Sequence, residues 1–102
     1  MGIEAQLREE DDRILREVSD HAMVLAGAVR SGALAGTRLL RYLQPWGDAM
    51  FNATQAGDLL FDVQEVSREH AGRPLGDWMQ QVEPLVSDLG RGTHIYLWFV
   101  GD

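Results

Sequence analysis

The sequence predicts an α+β fold, and three features indicate it. Residues 48–69 and 75–89 each gather apolar side chains on one helical face, with polar side chains opposite. Residues 93–100 are rich in β-branched and aromatic side chains, which favour a strand. A second short apolar segment, 37–43, is followed by Pro and Gly and is also expected to be a strand. A chain of 102 residues with these patterns is expected to form one α+β domain over its whole length, 1–102.

The first eighteen residues fit two patterns. Apolar residues recur at helical spacing from Ile3 to Val18. The segment also reads as a β-hairpin, because Ile3, Ala5 and Leu7 alternate with polar residues before an acidic turn at 9–12. Pattern alone favours the helix, since Ala, Gln and Glu are poor strand formers, and the hairpin is the alternative.

One helix is predicted before the longest helix and one after it. Ser19 and Asp20 indicate the N-cap of a short helix over residues 21–30. The helix predicted over 75–89 contains Pro84, which is expected to kink it or divide it in two.

The longest helix is predicted over residues 48–69, with Asp48 at its N-cap. Its apolar arc consists of Ala49, Ala53, Ala56, Leu59, Leu60, Val63 and Val66. The opposite face carries four carboxylates, the acidic stripe: Asp58, Asp62, Glu65 and Glu69. Met50, Phe51 and Phe61 fall outside the arc, which indicates contact with another chain or with the other helix.

Three sequence motifs together resemble a family of small bacterial proteins that has no assigned function. They are Met1-Gly2-Ile3-Glu4, then Pro45-Trp46-Gly47-Asp48 with Phe51-Asn52 and Gln55, and finally His94-x-Tyr96-Leu97-x-Phe99-x-Gly101-Asp102. The family patterns are P-[YW]-G-D-x-x-F-N and H-x-Y-L-x-F-x-G-D. The resemblance implies a hairpin for residues 3–18 and carries no activity. The expected fold is then an N-terminal β-hairpin and two further short strands in a small sheet, packed by two main amphipathic helices and one short helix.

Charge and composition exclude several classes of function. Sixteen Asp and Glu residues against nine Arg give a net charge of -7, which argues against nucleic acid or an anionic membrane as the main partner. With no Cys, the chain has neither a disulfide framework nor a thiolate zinc site. The N-terminus lacks a secretory-signal pattern, and the longest apolar run, 22–29, is too short to span a bilayer. A cytoplasmic protein is expected.

The junction before the longest helix is the first candidate site. Asp48, Asn52 and Gln55 fall on one side, close to Trp46. They form either a polar ligand pocket or a helix cap whose amides bind nearby backbone, and the cap is the favoured interpretation.

The last strand is the second candidate. If its Ile and Leu face the helices, His94, Tyr96 and Trp98 line the other face, either as a binding surface or packed against the hairpin. Asp102 and Asp48 could add carboxylates near His94.

The acidic stripe is the third candidate. It is either a solvated helix face, which is the favoured interpretation, or a docking surface for a basic partner.

We expect a non-enzymatic protein that binds a partner protein, which is basic if the stripe is used, in the manner of an inhibitor or immunity protein. Self-association is a further expectation. No catalytic residues, cofactor or metal are expected, since no nucleophile elbow, phosphate loop or dinucleotide fingerprint occurs. The alternative is a small-ligand or metal-dependent site, which requires five side chains to converge: Asp48, Asn52, Gln55, His94 and Asp102.

Overall fold

The chain forms a four-stranded antiparallel sheet that carries its helices on one face. The computed structural model describes residues 2–101. The strands are β1 (Glu4–Glu9), β2 (Ile14–Val18), β3 (Asp48–Phe51) and β4 (Ile95–Val100), in the spatial order β2-β1-β4-β3. The helices are α1 (Val24–Ser31), α2 (Ala56–Glu69) and α3 (Pro74–Arg91). The predicted α+β class, with its N-terminal hairpin, is confirmed.

The hairpin prevails over the helical pattern because β1 pairs on both of its sides. Ala5 and Leu7 point into the core opposite Phe99 and Leu97 of β4. The alternating apolar residues of β1 are therefore buried on one face of the sheet, which stabilises the strand. The turn contains no glycine, and Asp12 takes the left-handed conformation there with a φ of 68°. Asp tolerates this region better than most residues.

The core lies between the helix-bearing face of the sheet and α3, which contacts β1, β2 and β4 on one side and the other two helices on the other. Phe51 and Phe99 meet there edge to face, with ring centroids 5.8 Å apart. Trp78 is buried in α3 and donates its indole N–H to the carbonyl oxygen of Ser19 at 2.9 Å. Phe51 is therefore a core residue of this chain, packed against Phe99 of β4.

The helix predicted from residue 48 is wrong for residues 48–52, and Ala53–Gln55 is a 3₁₀ turn that leads into the α-helix. Asp48–Phe51 is the edge strand β3, which pairs with β4, and α2 begins only at Ala56. The helical period of this segment is overridden because pairing with β4 buries Phe51 and satisfies backbone groups. Asp48 is consequently not an N-cap.

The strand predicted over residues 37–43 is also wrong. Its middle, Leu40–Tyr42, is a short 3₁₀ turn. The backbone N–H groups of Arg38, Leu39 and Leu40 donate to the Asp62 carboxylate at 2.9, 2.7 and 3.2 Å, so they are not available to a sheet ladder.

The other two helices form close to their predicted bounds. A 3₁₀ turn, His21–Met23, precedes α1, and the Asp20 carboxylate accepts from the backbone N–H groups of Leu25 and Ala26 at 2.8 and 3.0 Å. Asp20 thus satisfies donors of the first helical turn, as an N-cap side chain does. Helix α3 is not divided by Pro84, which lies on its exposed face.

Two helical glycines are expected to respond oppositely to substitution by alanine. A Cβ on Gly76 would lie 2.3 Å from the carbonyl oxygen of His70, so Gly76→Ala must push α3 away from the end of α2. We expect it to lower the free energy of unfolding by about 2 kcal/mol. A Cβ on Gly27 in α1 meets nothing within 4 Å, and Gly27→Ala should raise that free energy by about 0.5 kcal/mol. Urea denaturation measures both changes, and equal effects would contradict the close approach at Gly76.

The link between β2 and α3 is expected to depend on pH. Arg16 donates to the Asp88 carboxylate at 2.9 Å, and this bond, followed by that from Arg91, lowers the pKa of Asp88 below its ordinary 3.8. A lowered pKa adds stability that is present above the unfolded value and is lost as the pH falls through the folded value. By NMR titration, Arg16→Gln should raise the Asp88 pKa more than Arg91→Gln does. The reverse order would contradict the assignment of Arg16 as the main cause.

Candidate binding surface

The sheet face that points away from the helices is named the outer face. Residues that pair across an antiparallel sheet share a face, so the strand register defines its members. They lie in three rows: Glu4, Val100 and Asp48; Glu17, Gln6, Trp98 and Met50; and Ile14, Arg8 and Tyr96. None of the helices within residues 2–101 covers this face.

An apolar centre occupies the outer face. Trp98 and Tyr96 are half-buried, and Met50 beside Trp98 is 49% exposed. Ile14 extends the apolar surface on the far side of β1 and is also exposed. Both Tyr96 and Trp98 therefore lie where strand alternation places them, on the face without helices.

A polar network holds Trp98 in place. The Arg8 guanidinium lies over the Trp98 ring, 4.8 Å from its centroid, and donates to Gln6 Oε1 at 2.9 and 2.6 Å. Gln6 in turn donates to Glu17 Oε2 at 2.6 Å. Because Gln6 is buried and both ends of its amide are paired, Arg8 is held in one position above the indole.

Three carboxylates border the apolar centre, those of Glu4, Glu17 and Asp48. None of them makes an ion pair with any residue in the described range 2–101. Asp48 accepts the backbone N–H of Gly101 at 3.2 Å. Since Arg8 is the one cation among the outer-face residues, the face carries net negative charge.

Two of the polar residues at the predicted junction form a helix cap, which is the favoured sequence interpretation. Asn52 and Gln55 bind each other's backbone: Asn52 N donates to Gln55 Oε1 at 2.9 Å, and Gln55 N donates to Asn52 Oδ1 at 3.2 Å. This is a capping box, which the Asn-x-x-Gln spacing could have indicated. Trp46 is exposed nearby in the chain, and its ring lies under Arg30.

His94 and Asp48 lie at opposite ends of the sheet. Asp48 pairs with Val100 at the end of β4, whereas His94 precedes the start of that strand and approaches Glu10 at 3.2 Å. Six residues of strand separate the two levels by about 20 Å. Asp102 lies outside the described residues. Among residues 2–101, no three His, Asp or Glu side chains come together as metal ligands.

The acidic stripe carries less free charge than its sequence indicates. Asp62 is only 1% exposed, so its predicted place on the solvent face is wrong: it binds the 38–40 backbone. Asp58 pairs with Arg38 at 2.8 Å, and Glu65 pairs with Arg68. Glu69 is exposed without an ion pair among the described residues.

Several outer-face residues escaped prediction from the sequence. Met50 was assigned to a helix, and Ile14 and Arg8 to an undecided segment, so their shared face was hidden. No polar–apolar alternation marks this strand in the sequence, because Asp48 is followed by three apolar residues, and Asp48–Phe51 alternates only in its burial.

Replacing Asp62 by alanine is expected to be much more damaging than the same change at Asp58. Asp62→Ala leaves three backbone donors without their acceptor, and we expect a loss of about 3 kcal/mol of unfolding free energy. Asp58→Ala removes an exposed ion pair and should change it by less than about 0.5 kcal/mol. Urea denaturation compares the two, and similar losses would contradict the structural role of Asp62.

Comparison with protein-family models, curated proteins and solved structures finds no match to this chain. None of the helices within residues 2–101 is long and apolar enough to cross a membrane. Among the surfaces of residues 2–101, the outer face is the best-defined candidate binding surface.

Proposed function

We propose that this chain is a non-enzymatic protein that binds a basic partner protein through its outer face. The observation that carries the proposal is an uncovered sheet face with an apolar centre of Trp98, Tyr96 and Met50, bordered by three carboxylates without ion-pair partners. A partner that suits it presents Lys or Arg side chains around an apolar patch.

The apolar centre supplies the contact area. Trp, Tyr and Arg are the residues that most often dominate binding energy at protein interfaces, and here Trp98 and Arg8 are stacked. Because the Gln6–Glu17 network already orders Arg8, little side-chain freedom is lost when a partner covers the ring.

The three carboxylates select the partner protein by its charge. Glu4, Glu17 and Asp48 surround the apolar centre and attract a basic surface, which raises the association rate and penalises acidic proteins. The net charge of -7 acts in the same direction and also disfavours nucleic acid and anionic membranes. The outer face replaces the acidic stripe as the proposed docking surface, because three of the four stripe carboxylates are ion-paired or buried.

We further propose a cytoplasmic bacterial setting and an inhibitor- or immunity-type role. Support for this role comes only from the size and acidity of the chain, which is an analogy. The metal-dependent or small-ligand alternative has no supporting observation, because Asp48 and His94 lie far apart.

Two matched variants test the outer face. Met50 and Phe61 are similarly exposed, at 49% and 44%, but Phe61 lies on α2. Met50→Lys places a positive charge in the apolar centre, and it should weaken the partner's affinity about tenfold or more. Phe61→Lys makes the same change of charge elsewhere and should leave the affinity within about twofold.

The measurement has two stages. The wild-type chain is used at low salt to recover a stoichiometric partner from the organism that produces it, and the purified partner is then titrated against both variants. Binding should weaken as salt rises. Equal affinity for the two variants, or no stoichiometric partner at low salt, would contradict the proposal.

A further inference from the structure

The charges of this chain are segregated along its sequence. Residues 21–47 contain Arg30, Arg38 and Arg41 and no Asp or Glu, whereas the rest of the chain contains all sixteen acidic residues and six arginines. An acidic protein thus contains one segment that is purely cationic.

Two of these three arginines keep their charge available. Arg38 pairs with Asp58 at 2.8 Å, whereas neither Arg30 nor Arg41 makes an ion pair with any part of the chain that the structure describes. Each lies against an aromatic ring instead. The Arg30 guanidinium is 5.6 Å from the Trp46 ring centroid, and that of Arg41 is 4.9 Å from the Tyr42 ring.

The two rings are widely open to solvent. Trp46 is 68% exposed and Tyr42 is 62% exposed, and they are the most exposed large apolar side chains within residues 2–101. The set of Arg30, Arg41, Tyr42 and Trp46 is named the basic aromatic patch. Trp, Tyr and Arg are the residues enriched where binding energy concentrates at interfaces.

A small pocket adjoins the patch at Arg41. It encloses about 100 Å³ between the end of α1 and the 40–43 segment, with buried Leu34, Leu40 and Leu43 at its base and Val29 and Arg41 also lining it. Metabolite sites usually measure roughly 300–1,000 Å³, so this pocket suits a single aliphatic side chain.

We propose that the basic aromatic patch binds a short acidic segment of a partner protein. One aliphatic side chain of the segment fills the pocket, and flanking carboxylates pair with Arg30 and Arg41. This surface goes beyond the outer face and does not depend on it, because the two select opposite charges. A chain with both surfaces joins a basic protein to an acidic one.

Charge complementarity favours an acidic peptide over nucleic acid. Two arginines neutralise few phosphates, and the acidic remainder of the chain repels a polyanion along most of its length. A peptide needs only a few carboxylates at the patch, and its aliphatic side chain gains from the pocket.

The test is selection from a random displayed peptide library on the full wild-type chain. The expected peptides carry Asp or Glu on both sides of one Leu, Ile, Val or Met. Synthetic copies should lose about tenfold in affinity for Arg30→Gln and for Arg41→Gln. Arg30→Lys and Arg41→Lys should lose less, because the charge stays. Arg13→Gln, a control in the hairpin turn at the other end of the sheet that removes an exposed arginine paired with Glu9, should stay within about twofold.

Thermal unfolding of each variant confirms that the surface substitutions leave the fold intact. Three results would overturn the proposal. The first is selection of no peptides or of basic peptides, and the second is binding of an oligo-dT strand with comparable affinity and the same arginine dependence. The third is an oligomer in sedimentation that dissociates to monomers in the Arg41→Gln variant. The last two would assign the patch to single-stranded nucleic acid or to a second copy of the chain.

Discussion

Two buried aspartates hold the irregular part of this fold in place. Asp20 accepts backbone N–H groups from Ile3, just before β1, and from α1, and Asp62 accepts three from residues 38–40. An unpaired buried amide destabilises a fold, and a carboxylate has enough lone pairs to accept several donors. Between these anchors lie residues 21–47, which form no strand. The loops of the basic aromatic patch keep their shape because this segment is fastened near both ends.

The same anchoring redistributes the surface charge. Because Asp62 is used inside the fold and Asp58 and Glu65 are paired with arginines, α2 presents far less free negative charge than its sequence contains. Within residues 2–101, three carboxylates without ion pairs border the apolar centre of the outer face, and two of the arginines without ion pairs lie in the basic aromatic patch. A count of charged residues in the sequence therefore predicts the wrong binding surface, because charges that form ion pairs within the chain are less available to a partner.

Prediction from sequence succeeded where one local pattern determined the structure. Helix α3 follows from its apolar periodicity and strand β4 from its β-branched and aromatic residues, and strand alternation places Tyr96 and Trp98 on the face without helices. Prediction failed where a residue distant in the sequence determined the local structure. Segment 48–51 is a strand because it pairs with β4, and residues 38–40 form no strand because their N–H groups bind Asp62 of α2. Of the strand-face candidate residues, Tyr96 and Trp98 lie in β4 as expected, whereas His94 precedes the strand. The patch around Arg30 and Arg41 was not predicted, since no local pattern brings α1 next to Trp46.

The three tryptophans occupy three separate environments. Trp78 is buried in α3 with its indole N–H bonded to Ser19, Trp98 lies half-covered by Arg8, and Trp46 is open to solvent. Indole emission depends on the polarity around the ring, so the molecule carries one intrinsic fluorophore in its core and one on each proposed surface. In variants that keep one tryptophan each, the emission wavelength would therefore report unfolding through Trp78, and binding of a partner to either surface through Trp98 or Trp46. No attached dye is needed.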